Sequence, residues 1–363
     1  MGRVIGLLPS RPTLVAFAVS RLVVLAAAIA AETLVTRNPR LTSGADGPLL
    51  RSLTSWDGWW YLGIARTGYH AALVADGYTD YAFWPLYPAV VRLLSLPWPA
   101  FDGLVAVAVS NLAFLVALGL VERLGRLVVG EDRAVRGAIL LALSPFGYVF
   151  SMAYPEALFL ALAVGACLVA EQGRWRAAGL LAGLATLARV HGLVVLPTLA
   201  WLGVRRLAPA QRRRLLWLAT PPLAALGFLA FVALLAGRPD AYLGAQAEWG
   251  RGGLGTASER LAANLDWLRL TQLATFLAGI YLLVFARPDR LPLGYALWPV
   301  GTLLLAFGSG NLESVGRYLT VVVPYFWLLA GRASRLARIG WPLASTGLLF
   351  VLALVAFAGW YVP

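Results

Sequence analysis

A chain of 363 residues that is 60% hydrophobic and only 13% charged, with a mean hydropathy of +0.76, is excluded from the water-soluble globular class, whose charged share is about 25%. Its formal charge of +13 is carried by arginines that long apolar runs interrupt; they form no continuous stripe, so membrane orientation accounts for them and no nucleic-acid partner is expected. The single Cys167, inside an apolar run, excludes an intramolecular disulfide and a cysteine metal site.

Apolar stretches of about twenty residues, bounded by arginines or by Pro/Gly breaks, mark the expected spans. Pro12–Val35 is the first. It is too long for a signal peptide and lacks a small-residue cleavage site, so it reads as a retained span. Arg21 within it is expected to snorkel or to make a buried helix contact, contact with a lipid phosphate being the sharper alternative. Residues 36–100 read as a first external loop, with a short interfacial helix at Ala89–Leu96. Phe101–Val121 returns to an inner loop carrying Arg123, Arg126, Arg133 and Arg136. Gly137–Ala153 goes out and Pro155–Ala170 comes back, which puts the turn Tyr154-Pro155-Glu156 on the side of Asp57.

Ala177–Gly203 has basic residues at both flanks, Arg174 and Arg176 before it and Arg205, Arg206 and Arg212 to Arg214 after it. One crossing cannot join two inner flanks, so the segment reads as a pair of short helices turning at Ala188–Gly192 and ending in a chamber within the membrane. Leu215–Ala236 follows, with a kink expected at Pro221-Pro222. Residues 237–266 read as a second external loop holding Asp240, Glu248, Trp249, Glu259, Asp266 and a flexible Arg251-Gly252-Gly253-Leu254-Gly255 segment. Trp267–Ala286, Leu291–Gly308, Leu319–Gly331 and Trp341–Val362 complete the set, with Ser309–Tyr318 outside and Arg287–Arg290 inside. The expectation is an all-α integral membrane protein, a single polytopic domain over residues 1–363 with about eleven crossings. Acidic residues, among them Asp46, Asp57, Asp76 and Glu313, gather in the segments assigned to the outside.

Ser55–Pro88 packs aromatics around Asp57 more densely than a solvated loop requires. Asp57 lies between Trp56 and the cluster Trp59, Trp60 and Tyr61. A carboxylate there can take a proton from a hydroxyl held close to it; the same pattern fits an interfacial aromatic belt with Asp57 solvated. Arginine suits an anionic phosphodiester through its planar donor fork, which makes Arg189 and Arg317, with His191, candidate phosphate ligands. Arg189 as a helix cap and Arg317 as a partner of Glu313 are the structural alternatives. Glu156 either binds sugar hydroxyls or favours the N-terminus of its helix. Asp76 and Asp80, four apart, make a poor metal pair, and no Asp-x-Asp occurs.

Trp56-Asp57, Ile64-Ala65, Gly68-Tyr69, Ala82-Phe83 and Pro85-Leu86-Tyr87-Pro88 together resemble the PIG-V family of mannosyltransferases, multi-spanning GT-C enzymes that use a lipid-phosphate sugar. Ser144-Pro145 with Phe150 to Phe159, the Arg189-Val190-His191-Gly192 turn, and Arg317-Tyr318 followed by Pro324 are similar to further family segments. Trp60 departs from the pattern, standing where eukaryotic members typically carry a His, and His191 takes the place of an Asn. The resemblance implies a GT-C type helical bundle, a polyprenyl-phosphate-linked sugar donor, a lipid or glycan acceptor, and inversion at the anomeric carbon without a nucleotide-sugar Mg²⁺ site; no cofactor is expected. Together with the residue chemistry it makes Asp57 the expected base and Arg189, His191 and Arg317 the expected donor-phosphate ligands; Trp56, Trp60, Tyr61, Glu156, Glu313 and Tyr318 are the residues expected at the substrate. The expected location is a bacterial plasma membrane with the site facing outward. A polytopic lipid or sugar transporter or flippase, and a non-catalytic subunit of a glycosylation complex, are the readings from other classes.

Overall fold

The computed structural model describes residues 8–45, 47–70, 77–251, 267–285, 291–310, 312–331 and 335–361. Asp46, Asp76, the Gly252 to Gly255 stretch, Glu259, Asp266 and Arg287–Arg290 lie outside them. Regular structure among the described residues is helical, with one isolated bridge between Ser43 and Ser55.

Helix α1 (Arg11–Thr33) begins with Pro12 in its first turn, where the missing N–H leaves no helical bond unmade. Its small residues Ala16, Ser20, Ala27 and Ala31 are buried while Leu22 and Ile29 are exposed. A small-residue face of this kind brings backbones close where water supplies no driving force. Arg21 is half-buried against protein: it donates to Ser151 Oγ (2.6 Å), Asn111 Oδ1 (3.4 Å) and the Gly147 carbonyl (3.2 Å). The contact is with neighbouring helices, and the bonds tie α1 to α5 (Asp102–Val128) and to the irregular segment after α6 (Glu131–Ala142).

Four helical stretches among the described residues are long and apolar enough to cross a membrane: Arg11–Thr33, Pro99–Val128, Pro209–Ala236 and Arg338–Phe357. The other expected spans are shorter or broken. Gly137–Ala153 is not one helix, because α6 stops at Ala142 just before Ser144-Pro145; proline lacks the N–H and disfavours helix at the residue before it. A 3₁₀ turn (Gly147–Phe150) and coil then lead to α7 (Glu156–Glu171), with Tyr148, Phe150, Met152 and Tyr154 fully buried. Non-helical backbone is tolerated at such depth where protein surrounds it. Pro221-Pro222 stand in the first turn of α10 (Thr220–Ala236), where the 3₁₀ stretch Pro209–Ala219 passes into α-helix. The expected pair within Ala177–Gly203 is present as α8 (Trp175–Ala188) and α9 (Gly192–Arg206), joined through Arg189, Val190 and His191. Gly192 permits that turn: a Cβ there would lie 2.3 Å from the Thr186 nitrogen.

Residues 36–100 hold α2 (Pro48–Leu53), α3 (Asp57–Thr67), a 3₁₀ turn at Asp80–Ala82 and α4 (Leu86–Ser95). Helix α11 (Ala241–Glu248) docks on this region, for Glu248 Oε2 accepts from the Thr79 amide at 2.8 Å and the Thr79 hydroxyl at 3.0 Å. The C-terminal part comprises α12 (Trp267–Phe285), α13 (Leu293–Gly308), α14 (Val315–Thr320), α15 (Val323–Ala330) and α16 (Arg335–Phe357). The expected span Leu319–Gly331 is thus split across α14 and α15, and nearly every residue of both is buried.

Gly316 in α14 is the tightest point of this packing near the site. Its amide donates to Gln272 Oε1 at 2.8 Å, and a Cβ would lie 2.2 Å from the Phe146 ring. Gly316→Ala is therefore expected to cost about 1–3 kcal/mol by overpacking, read as a lower thermal unfolding midpoint. Gly227→Ala, where nothing lies within 4 Å of the added atom, is the control that should leave the midpoint level or raise it.

Candidate active site

The first helix of the site begins in a strained backbone. Trp56, just before α3, has φ 59° and ψ −126°, and is the only non-glycine residue with positive φ among the described residues. Such a conformation costs about 1–3 kcal/mol and persists where the surroundings over-determine it. Here they do: the Trp56 indole donates to the Ala356 carbonyl at 2.9 Å, and the Asp57 amide donates to the Tyr154 hydroxyl at 3.2 Å. The turn aims Asp57 into a cavity whose walls also include Tyr61, Trp84, Arg189, His191, Tyr242, Trp249, Arg251, Arg317 and Tyr318.

Ion pairs link the walls. Arg317 Nη1 donates to Asp57 Oδ2 at 2.6 Å, and its Nε lies 3.3 Å from Glu156 Oε1. Arg189 Nη1 pairs with the same Glu156 oxygen. The order is Asp57, Arg317, Glu156, Arg189, and burial along it is uneven: Glu156 is fully enclosed, whereas the Asp57 side chain is 21% exposed. Glu156 holds two guanidinium groups and is not among the cavity-lining residues, whereas Asp57 is. Glu156 stands in the first turn of α7, the position that the helix-start reading gave it.

Tyr318 is the hub of the opposite wall. The His191 ring lies 4.7 Å from it, the Arg189 and Arg317 guanidinium carbons stand 5.6 and 5.8 Å from its centroid, and Arg251 Nη2 donates to its hydroxyl at 3.2 Å. Cations over aromatic faces are favourable, and more so away from water. Tyr242, on α11, is drawn in by a 3.2 Å bond from the Trp84 indole; burial pushes its phenol above the usual range, and that bond pulls it back.

The structure brings Asp57, Tyr61, Arg189, His191, Arg317 and Tyr318 together in one cavity. Trp56 points to α16, where its indole meets the Ala356 carbonyl. Trp60 stacks on Phe83 at 5.3 Å and meets Trp249 at 5.6 Å, behind the wall. Glu313 is outside the cavity lining, 3.9 Å from Arg269, so the alternative partner expected for Arg317 is replaced by Asp57 and Glu156. Asp80 accepts from the His70 amide (3.1 Å) and faces its Nδ1 (2.9 Å); burial pushes its carboxyl upward and the His70 bonds lower it. Among the described residues no group of three or more His, Cys, Asp or Glu is arranged for a metal. Sequence reasoning passed over Arg251, Tyr242 and Tyr154 as individual functional residues.

Comparison with known proteins adds identity to this geometry. Residues 13–210, more than half of the chain, match the family model described as Mannosyltransferase (PIG-V). The chain is 35% identical over 156 residues to GPI alpha-1,6-mannosyltransferase 2 of Cricetulus griseus, covering 40% of this chain and 30% of that protein. It is 34% identical over 158 residues to the Mus musculus protein of that name, covering 41% and 31%. The matched region therefore spans less than a third of the length of these curated relatives. The fold is similar to that of ArnT from Cupriavidus metallidurans, in a crystal structure bound to undecaprenyl phosphate, with a TM-score of 0.51, 14% identity, and coverage of 88% of this chain and 59% of that one.

Proposed function

The chain belongs to the PIG-V family of mannosyltransferases, and we propose that it moves a mannosyl group from a polyprenyl-phosphate donor to a hydroxyl of a lipid or glycan acceptor, with inversion at the anomeric carbon. The observation that carries this reading is the state of Asp57. One oxygen is anchored by Arg317 at 2.6 Å, and the other has no hydrogen-bond partner among the described residues while its side chain lines the cavity. A carboxylate fixed at one end and open at the other can hold an acceptor hydroxyl.

In the proposed step, Asp57 takes the acceptor proton as that oxygen attacks the anomeric carbon from the face opposite the phosphate. The new glycosidic bond forms while the anomeric carbon–phosphate oxygen bond breaks, and the electron pair leaves with the polyprenyl phosphate. The phosphate is a good leaving group, so positioning and charge stabilisation supply most of the rate. The undecaprenyl phosphate bound by ArnT supports the choice of donor class, and the curated relatives' names support mannose. The same reading adopts the topology of about eleven crossings, with residues 36–100 and 237–266 on the outer face of the membrane.

The test supplies purified protein in detergent with polyprenyl-phosphate mannose, the matching glucose donor, or GDP-mannose, together with a membrane lipid and glycan extract. Mannose transfer from the first alone is expected. Transfer from the nucleotide sugar, or from none of the three, overturns the reading.

A further inference from the structure

The charges around the cavity do not cancel among the described residues. Three guanidinium groups, those of Arg189, Arg251 and Arg317, face two carboxylates, those of Asp57 and Glu156. Two of the cations are spoken for. Arg317 is 4% exposed and is engaged by both Asp57 and Glu156, and Arg189 is paired with Glu156. The surplus charge is Arg251, whose partners are neutral: Gln246 Oε1 at 2.7 Å and the Tyr318 hydroxyl at 3.2 Å.

A second observation points to the same place. His191 is 6% exposed, lines the cavity, and has no hydrogen-bond partner at either ring nitrogen among the described residues. A buried polar group without a partner carries a desolvation cost that a ligand atom can remove. His191 and Arg251 both touch Tyr318, so a ligand oxygen over that ring can meet both.

We propose that Arg251, with His191 as its second donor, is the anion subsite of the cavity and holds the phosphate of the donor, while Arg189 and Arg317 hold the carboxylates. This assignment rests on the polyprenyl-phosphate reading above. One surplus cation matches the single negative charge of a phosphodiester. A guanidinium fork held by neutral groups can exchange them for phosphate oxygens without stripping a counter-ion from a carboxylate. Because Arg251 follows α11, and α11 is fixed to the first segment through Glu248 and Thr79, Glu248 is a positioning residue: the subsite is complete only when the two segments are docked.

The experiment titrates undecaprenyl phosphate, without sugar, into the full-length protein and its Arg251→Gln, Arg251→Lys, Glu248→Gln and Arg189→Lys variants, and measures donor KM and kcat in parallel. Arg251→Gln is expected to raise Kd and donor KM by about 10- to 100-fold, the scale of a charged hydrogen bond, with the loss falling on KM more than on kcat. Arg251→Lys should recover part of it, and Glu248→Gln should weaken binding less than Arg251→Gln with the same split. Unchanged Kd in Arg251→Gln, or a larger loss in Arg189→Lys than in Arg251→Gln, overturns the assignment and leaves the polyprenyl-phosphate reading standing. Failure of the unmodified protein to bind undecaprenyl phosphate overturns both.

Discussion

Asp57→Asn is expected to lower sugar transfer by roughly 10²–10⁴-fold, the range of a positioned acid–base group, while the protein stays folded. The amide has nearly the shape of the carboxylate, and its oxygen can still accept from Arg317 Nη1, which donates to Asp57 Oδ2 in the parent at 2.6 Å. Glu156 remains to balance Arg317, so the buried network keeps a counter-charge. What the amide lacks is a lone pair basic enough to take the acceptor proton. Turnover at saturating donor, the thermal midpoint and undecaprenyl-phosphate binding should be measured together, with Glu313→Gln as a control because Glu313 is outside the cavity lining. Full transfer by Asp57→Asn, or its loss in Glu313→Gln, would sink the choice of base.

Glu156→Gln should fail differently. This carboxylate is fully buried between Arg189 and Arg317, and removing its charge leaves two guanidinium groups facing each other in protein. Breaking a buried pair on one side costs about 3–5 kcal/mol, so the thermal midpoint and transfer are expected to fall together. A double variant, Glu156→Gln with Arg189→Gln, should be less destabilised than the two single losses summed, because it deletes a cation along with its partner. If Glu156→Gln unfolds at the parent temperature yet loses transfer, Glu156 acts on the substrate and the division of labour between the two carboxylates is wrong.

Much of the frame was legible along the chain because it follows from local rules. Apolar excess with little charge specifies a membrane protein, and arginines flanking Ala177–Gly203 on both sides require the paired short helices α8 and α9, whatever surrounds them. The aromatic density at Ser55–Pro88 likewise singled out Asp57, since nothing about a solvated loop calls for it. Expected span ends were less secure. Length and hydropathy alone treat Gly137–Ala153 as one crossing, while Ser144-Pro145 ends the helix at Ala142 and burial by neighbouring helices makes the irregular remainder tolerable.

The amino-acid sequence by itself determined the membrane class, the α8–α9 turn that carries Arg189 and His191, and the residue types available for chemistry, because composition, charge flanks and helix breakers act over a few residues. Only the tertiary structure decided which charge meets which. Arg317 reaches Asp57 across 260 positions of sequence, and its nearer candidate partner, Glu313, lies apart beside Arg269. Strain at Trp56, enclosure of Glu156 and the presence of Arg251 in the cavity depend equally on how α3, α7, α11 and α14 pack. An ion pair is set by distance and by exclusion of water, and both are properties of the assembled bundle, which no stretch of sequence contains.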